Sequence, residues 1–400
     1  MYAAIAGLKT HMQNLNVIGN NIANINTQGY KSSRAVFQTT LYQSVSGGSN
    51  GTQTVAGRNP SQIGYGATVG SIDMDMSTGN YGVTGKPTDL MLDGDGFFLV
   101  GDKEKANNFD GTATDVGKLT SLNLTRVGNF EFKSDGYFAN QQGDAVYGFL
   151  TIGIYGDGTN GTTAIPKPNP NGIKAGDPVF SDQLVPIRLP CVRVTPADPN
   201  ATPPTPKKVE IAYPTATAGG HLTDATVGGT GTDANDPLSR GKFVGIKVDQ
   251  LTGIITGTSA DTEEVVVIGC VAVGLVDNPN GVTQVSGSYY KADEGAGELC
   301  VAVLGGGAQA MGIEYVNKSL AQGAGGANPP AGGTANADVD GLRIRSGGST
   351  EMLSSGLEMS KTDLAQEIAN MITTQRGYQA NTRIITVTDS MLEELVNMKR

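Results

Sequence analysis

The C-terminal stretch from Lys361 to Lys399 contains no proline and one glycine, Gly377, so nothing in it forces a break and it reads as one long helix. Ser360 is placed to cap its first turn, and Asp363, three residues on, favours the positive helix end. Apolar residues recur at helical spacing: Leu364, Ile368, Met371, Tyr378, Ile385, Leu392 and Val396, with Gln375, Thr382 and Asp389 in the same register. This is a heptad seam with polar interruptions. A second stripe, Ile384, Met391, Leu395 and Met398, runs beside it, so the helix offers more than one apolar face near its end. Such a helix wants several neighbours.

The other terminus supplies one. From Met1 to about Asn26, Ile5, Leu8, Met12, Leu15 and Ile22 lie at helical spacing, with Gly19 in register and Ile18 and Ile25 alongside, which predicts a second amphipathic helix. A lone pair of such helices is marginal in water, so the two ends are expected to order mainly when other copies surround them.

Four hundred residues suggest two to four domains, and 57 glycines, 6% aromatic residues and no tryptophan suggest many turns around modest β cores. A net charge of −10 argues against nucleic acid, which needs a basic footprint. No apolar run is long enough to span a bilayer, and the N-terminus lacks the basic segment and apolar core of an ordinary secretory signal. Membrane insertion is not expected. Of the three cysteines, Cys270 and Cys300 sit inside apolar runs and read as small buried residues, and with no Cys-x-x-Cys a zinc site is not expected.

In chain order the sequence reads as nested layers: mixed α and β, with the two helices paired as a coiled coil and two mainly antiparallel β domains between them. Residues 1–31 and 356–400 form the helical domain. Residues 32–66, rich in Ser, Thr, Gln and Gly with scattered apolar residues, read as an extended linker. Residues 67–150 and 240–355 form an inner β domain. In it, Lys133-Ser134-Asp135-Gly136 reads as a hairpin turn, and Asp93-Gly94-Asp95-Gly96 is bracketed by Leu90–Leu92 and Phe97–Val100 in the same way. Residues 151–239, with most of the prolines, form an outer β domain with long loops, and Gln322–Asp338 reads as a surface loop.

The sequence is poor in chemistry. His11 lies on a predicted interface helix and His221 in a Gly/Thr-rich loop, so no histidine-based triad forms. Gly156-Asp157-Gly158-Thr159-Asn160-Gly161 fits the dinucleotide pattern, but Pro166, Pro168 and Pro170 follow where the phosphate-binding helix should begin. Asp93–Gly96 looks like half of a calcium loop, but Phe97 takes the next ligand position and no Glu stands at the twelfth. No enzyme activity, cofactor or metal is expected.

Four stretches carry a resemblance. Leu15–Lys31, centred on Asn20-Asn21-Ile22-Ala23-Asn24, resembles the N-terminal signature of the bacterial flagellar rod and hook family. Ser355–Ser360 through Thr374–Asn381 is similar to that family's C-terminal signature, and Leu92–Val100 and Thr125–Phe130 also match. Rod members are much shorter, whereas the insertion after Leu150 and the return at Val248–Gly257 resemble the hook branch. The resemblance implies a structural subunit of the flagellar hook, a curved, flexible tube around a central export channel that passes torque from rod to filament. The alternatives are a distal rod or hook–filament junction subunit and, further off, a secreted coiled-coil adhesin. It implies as partners further copies of the chain, the distal rod protein, the hook–filament junction protein, the hook cap and the flagellar export apparatus. It also implies export to the extracellular hook without a cleaved signal peptide. Some spirochaete members of the family weld subunits covalently: a cysteine loses its sulfur to become dehydroalanine and a lysine of the next subunit adds to it. Cys191, outside any continuous apolar run, is the candidate here, with Lys167 or Lys174 facing it from a neighbouring copy.

Overall fold

A computed structural model describes residues 2–48, 50–51, 56–103, 121–156, 163–164, 178–180, 184–195, 208–216, 222–223, 239–240, 242–260, 263–297, 299–304, 344–346 and 350–398. The chain divides into two compact units, Met1–Met76 with Met359–Arg400, and Ser77–Glu358. Two helices and several antiparallel sheets make the fold mixed α and β.

In the first unit, α1 spans Tyr2–Ala23 and α2 spans Leu364–Asn397. Helix α2 starts three residues later than its sequence suggests, because Asp363 and not Ser360 is the cap. Asp363 is extended (φ −85°, ψ 109°), and its carboxylate accepts from the amides of Ala365 (2.9 Å) and Gln366 (3.3 Å). The Ser360 hydroxyl accepts from the Thr362 amide at 3.3 Å, closing a turn ahead of the helix.

Residues 32–66 are not an extended linker. They hold β1 (Ser33–Thr39), β2 (Tyr42–Ser46) and β3 (Ser61–Gly64), and the chain continues into β4 (Ala67–Met74). Strand β1 pairs antiparallel with β4, from Ser33 opposite Met74 to Thr39 opposite Ala67, and β2 pairs with β3. The ladder satisfies the backbone without a core, which is why the sparse apolar residues Leu41, Tyr42, Val45 and Ile63 stay exposed.

The second unit is built on a large sheet. Three early strands are β5 (Tyr81–Val83), β6 (Leu90–Asp93) and β7 (Phe97–Gly101). Strand Ala145–Gly156 pairs with β7, with Val265–Val276, and with Pro178–Phe180 and Val185–Pro186. It therefore runs straight through the expected boundary at Leu150, and residues from the proposed outer segment return to the same strand. Further on, Cys191–Thr195 pairs with Lys208–Ala212 and Ser239–Arg240 in a separate three-stranded sheet. The strands Phe243–Val248, Ile254–Ser259 and Val265–Val276 pair in sequence back to Ala145–Gly156. The Lys133–Gly136 turn joins a hairpin, Phe132 opposite Phe138. Asp93–Gly96 does not: β6 pairs with Glu351–Ser354 and β7 with other strands, so the turn passes the chain between sheets. The core gathers Leu90, Phe98, Phe130, Phe138, Val146 and Val273, with Phe98 edge-on to Phe130 at 5.1 Å. Gln322–Asp338, His221, and most of the 156–161 glycine stretch lie outside the described residues.

Candidate polymer interface

Helices α1 and α2 meet in antiparallel register: Asn21 faces Glu367, Asn14 faces Thr374, His11 faces Gly377 and Gly7 faces Asn381. The seam is small and polar. Asn14 Nδ2 donates to Thr374 Oγ1 at 3.0 Å, and Thr374 in turn donates to the Asn370 carbonyl at 2.8 Å. Thr10 donates to the carbonyls of Ala6 (2.8 Å) and Ala67 (2.9 Å), fixing α1 against β4. At Gly377 the helices approach so closely that a Cβ would lie 2.8 Å from the His11 ring, so a larger residue there would have to displace that ring.

Asn21 is the hub. Its Nδ2 donates to the Ser33 carbonyl (2.7 Å) and Glu367 Oε1 (3.2 Å), and its Oδ1 accepts from the Tyr30 hydroxyl (3.0 Å) and the Ser33 amide (3.0 Å). Almost fully buried, it uses its whole hydrogen-bonding capacity to bind α1, α2 and β1 together. Burial raises the Tyr30 pKa above the usual phenol value, and the Glu367 carboxylate adds to the rise, so Tyr30 stays a neutral donor.

The predicted interface residues lie elsewhere on the helices. Ile5 and Met12 are exposed, and Leu8, Leu15 and Ile22 are half-buried. On α2, Leu364, Ile368, Leu392 and Val396 are exposed, while Met371, Tyr378 and Ile385 are half-buried. No residue of either predicted stripe is fully buried. The apolar stripes therefore do not form the seam of the pair, as their spacing implied. That place is taken by residues outside the stripes: Gly7, His11, Asn14 and Asn21 on α1, and Glu367, Thr374, Gly377 and Asn381 on α2. A signal was present in the seven-residue steps from Asn14 to Asn21 and from Thr374 to Asn381, carried by polar side chains. In this register Tyr2 falls opposite Thr386, so residues 387–397 of α2 have no α1 residue facing them, and Val387, Met391, Leu392, Leu395 and Val396 are exposed there.

Among the described residues there is no group of three or more metal-ligating side chains, and no helix is long and apolar enough to cross a membrane. Cys191 is buried on strand Cys191–Thr195, with Ala212 and Arg240 as its cross-strand neighbours, while Lys167 and Lys174 lie outside the described residues.

Comparison with known proteins agrees with this geometry. Residues 353–398 match the family described as flagellar basal body rod FlgEFG protein C-terminal, and residues 1–31 match the flagella basal body rod protein family. The flagellar basal-body rod protein FlgG of Bacillus subtilis is 28% identical, over all of this chain and 98% of that protein. The flagellar hook protein FlgE of Borreliella burgdorferi is 27% identical, over all of this chain and 99% of that protein. That of Salmonella typhimurium is 25% identical, over 99% of each. Two terminal helices that pair through polar groups and turn their apolar stripes outward, in a chain matched from end to end by such proteins, define a structural subunit of the bacterial flagellum. Along its whole length the chain is similar to flagellar rod and hook proteins.

Proposed function

We propose that this chain is the hook subunit, polymerising into a curved, flexible tube that joins rod to filament outside the cell. The observation that carries the reading is the outward apolar face of the terminal helices. It supports packing of α1 and α2 with copies of themselves as concentric coiled coils around an export channel. The polar seam keeps each pair in register at some cost in stability. The separate sheet built on Cys191–Thr195, within the segment inserted after Leu150, is what favours hook over rod. In this reading the partners are other copies, the distal rod protein, the junction protein, the cap and the export apparatus. The large sheet supplies the inner β layer and the sheet built on Cys191–Thr195 the outer one.

The second reading is a rod subunit, favoured by the full-length similarity to the Bacillus subtilis rod protein. Electron microscopy of the assembled, purified chain separates the two. Curved tubes are expected; straight, stiff tubes would transfer the assignment to the rod, and globular particles under all assembly conditions would end both readings.

A further inference from the structure

The chain passes between its two units twice, after Met76 and after Glu358. Just inside the second unit, one side chain holds both passages. Glu358 ends strand Gly356–Glu358, which pairs antiparallel with β5, Leu357 opposite Gly82. Its Oε1 accepts from the Gly79 amide at 2.7 Å, tying the outgoing strand to the incoming one. Its Oε2 lies 3.7 Å from Arg126 Nη1, and the two side chains are only 1% and 2% exposed. Arg126 is fixed by the sheet behind it, with Nη1 donating to the Leu92 carbonyl (3.3 Å) and Nη2 to that of Gly94 (2.9 Å). Its guanidinium lies over the Phe97 ring, 5.3 Å from the centroid. Burial pushes its pKa down, and Glu358 pulls the other way.

In the first unit, Lys361 and Asp75 tie the same two passages at 3.5 Å, but their side chains are 42% and 49% exposed. Water and salt screen that pair, whereas the buried pair is shielded from both. The two ties therefore differ in stiffness.

We propose that Arg126 and Glu358 form a clamp at the neck of the second unit, through which pull on the terminal helices enters the β core without peeling Gly356–Glu358 from β5. The transmission of pull rests on the reading of the chain as a flagellar subunit. The clamp itself is a property of the single chain, so its test requires no assembly.

Amide hydrogen exchange on the full-length monomer reads it out. In Glu358→Gln, which keeps an acceptor for Gly79 but removes the buried carboxylate beside Arg126 and leaves the weaker pull of Asp95 and Asp93, exchange at Gly79 and along 81–83 and 356–358 should rise about a hundredfold. Phe97–Gly101 should keep its protection. In the double variant Arg126→Met/Glu358→Gln, which removes both charges, most of that rise should be reversed, to within about tenfold of the parent chain. Unchanged protection at Gly79 in the single variant would overturn the clamp. So would an equal rise across Phe97–Gly101, which would make the pair a general support of the core. If the single variant does not fold, the double variant decides. A folded double variant with loosening confined to 79–83 and 356–358 supports the clamp, while unchanged protection there, or failure to fold, overturns it.

Discussion

Replacing Ile368 and Leu392 together by aspartate abolishes tube formation and leaves the folded β unit as it was. Both residues are close to half exposed in the single chain, at 43% and 49%, so a carboxylate there meets water and shifts monomer stability by no more than about 0.5 kcal/mol. In a packed helical tube the same carboxylate is buried without a partner, at about 3 kcal/mol or more for each site in each subunit. Repeated along a polymer, that cost removes assembly at any practical concentration. Sedimentation should find only monomer, with a denaturation midpoint of the β unit like that of the parent chain. Normal tubes from the double variant would mean that these stripes do not face other copies.

Gly128→Ala is expected to act oppositely, unfolding the β unit while sparing the helices' own surfaces. Gly128 lies in the Thr125–Phe130 stretch, where its carbonyl accepts from the amides of both Leu90 and Phe130 at 2.9 Å. A Cβ would stand 1.9 Å from the Leu90 carbonyl oxygen and 3.1 Å from the Phe98 ring, so the backbone itself must move. Leu90, Phe98 and Phe130 all belong to the core, and shifting them should cost about 3 kcal/mol or more. Denaturant unfolding of the monomer measures this directly; a midpoint equal to that of the parent chain would show that the Leu90 contact relaxes freely.

Much of the architecture is legible in the residues. Both terminal helices are written by unbroken helical spacing without proline, and the Lys133–Gly136 hairpin by its turn chemistry. Other features escape for physical reasons. The polar seam is hidden because Asn and Thr at helical spacing look like a solvated face until a partner helix satisfies them, as Glu367 and Ser33 do for Asn21. The ribbon of β1 to β4 carries no burial signal, since its ladder holds backbone groups while its apolar side chains stay outside. Strand Ala145–Gly156 crosses the expected boundary because it is buried on both faces as far as Thr151, so no alternation marks where it continues. The cap of α2 falls on Asp363 because Lys361 and Thr362 are not helical, something spacing alone does not reveal.

The interface itself was read as apolar residues on two helices, and those residues do form stripes. What the spacing left open was which way they point. Within one chain the helices approach at His11 and Gly377 and at Gly7 and Asn381, none of which belongs to the apolar stripes.

Methionine oxidation footprinting tests the central claim, that the outward stripes are covered by other copies. Met12 and Met391, on α1 and α2, are 46% and 51% exposed in the single chain, while Met91 and Met352 in the β unit are almost fully buried and serve as internal standards. Peroxide should oxidise Met12 and Met391 readily in verified monomer and leave Met91 and Met352 intact. In assembled tubes, all four should be protected, with the rates at Met12 and Met391 falling about tenfold or more. Equal oxidation of Met12 and Met391 in tubes and in monomer would contradict the account.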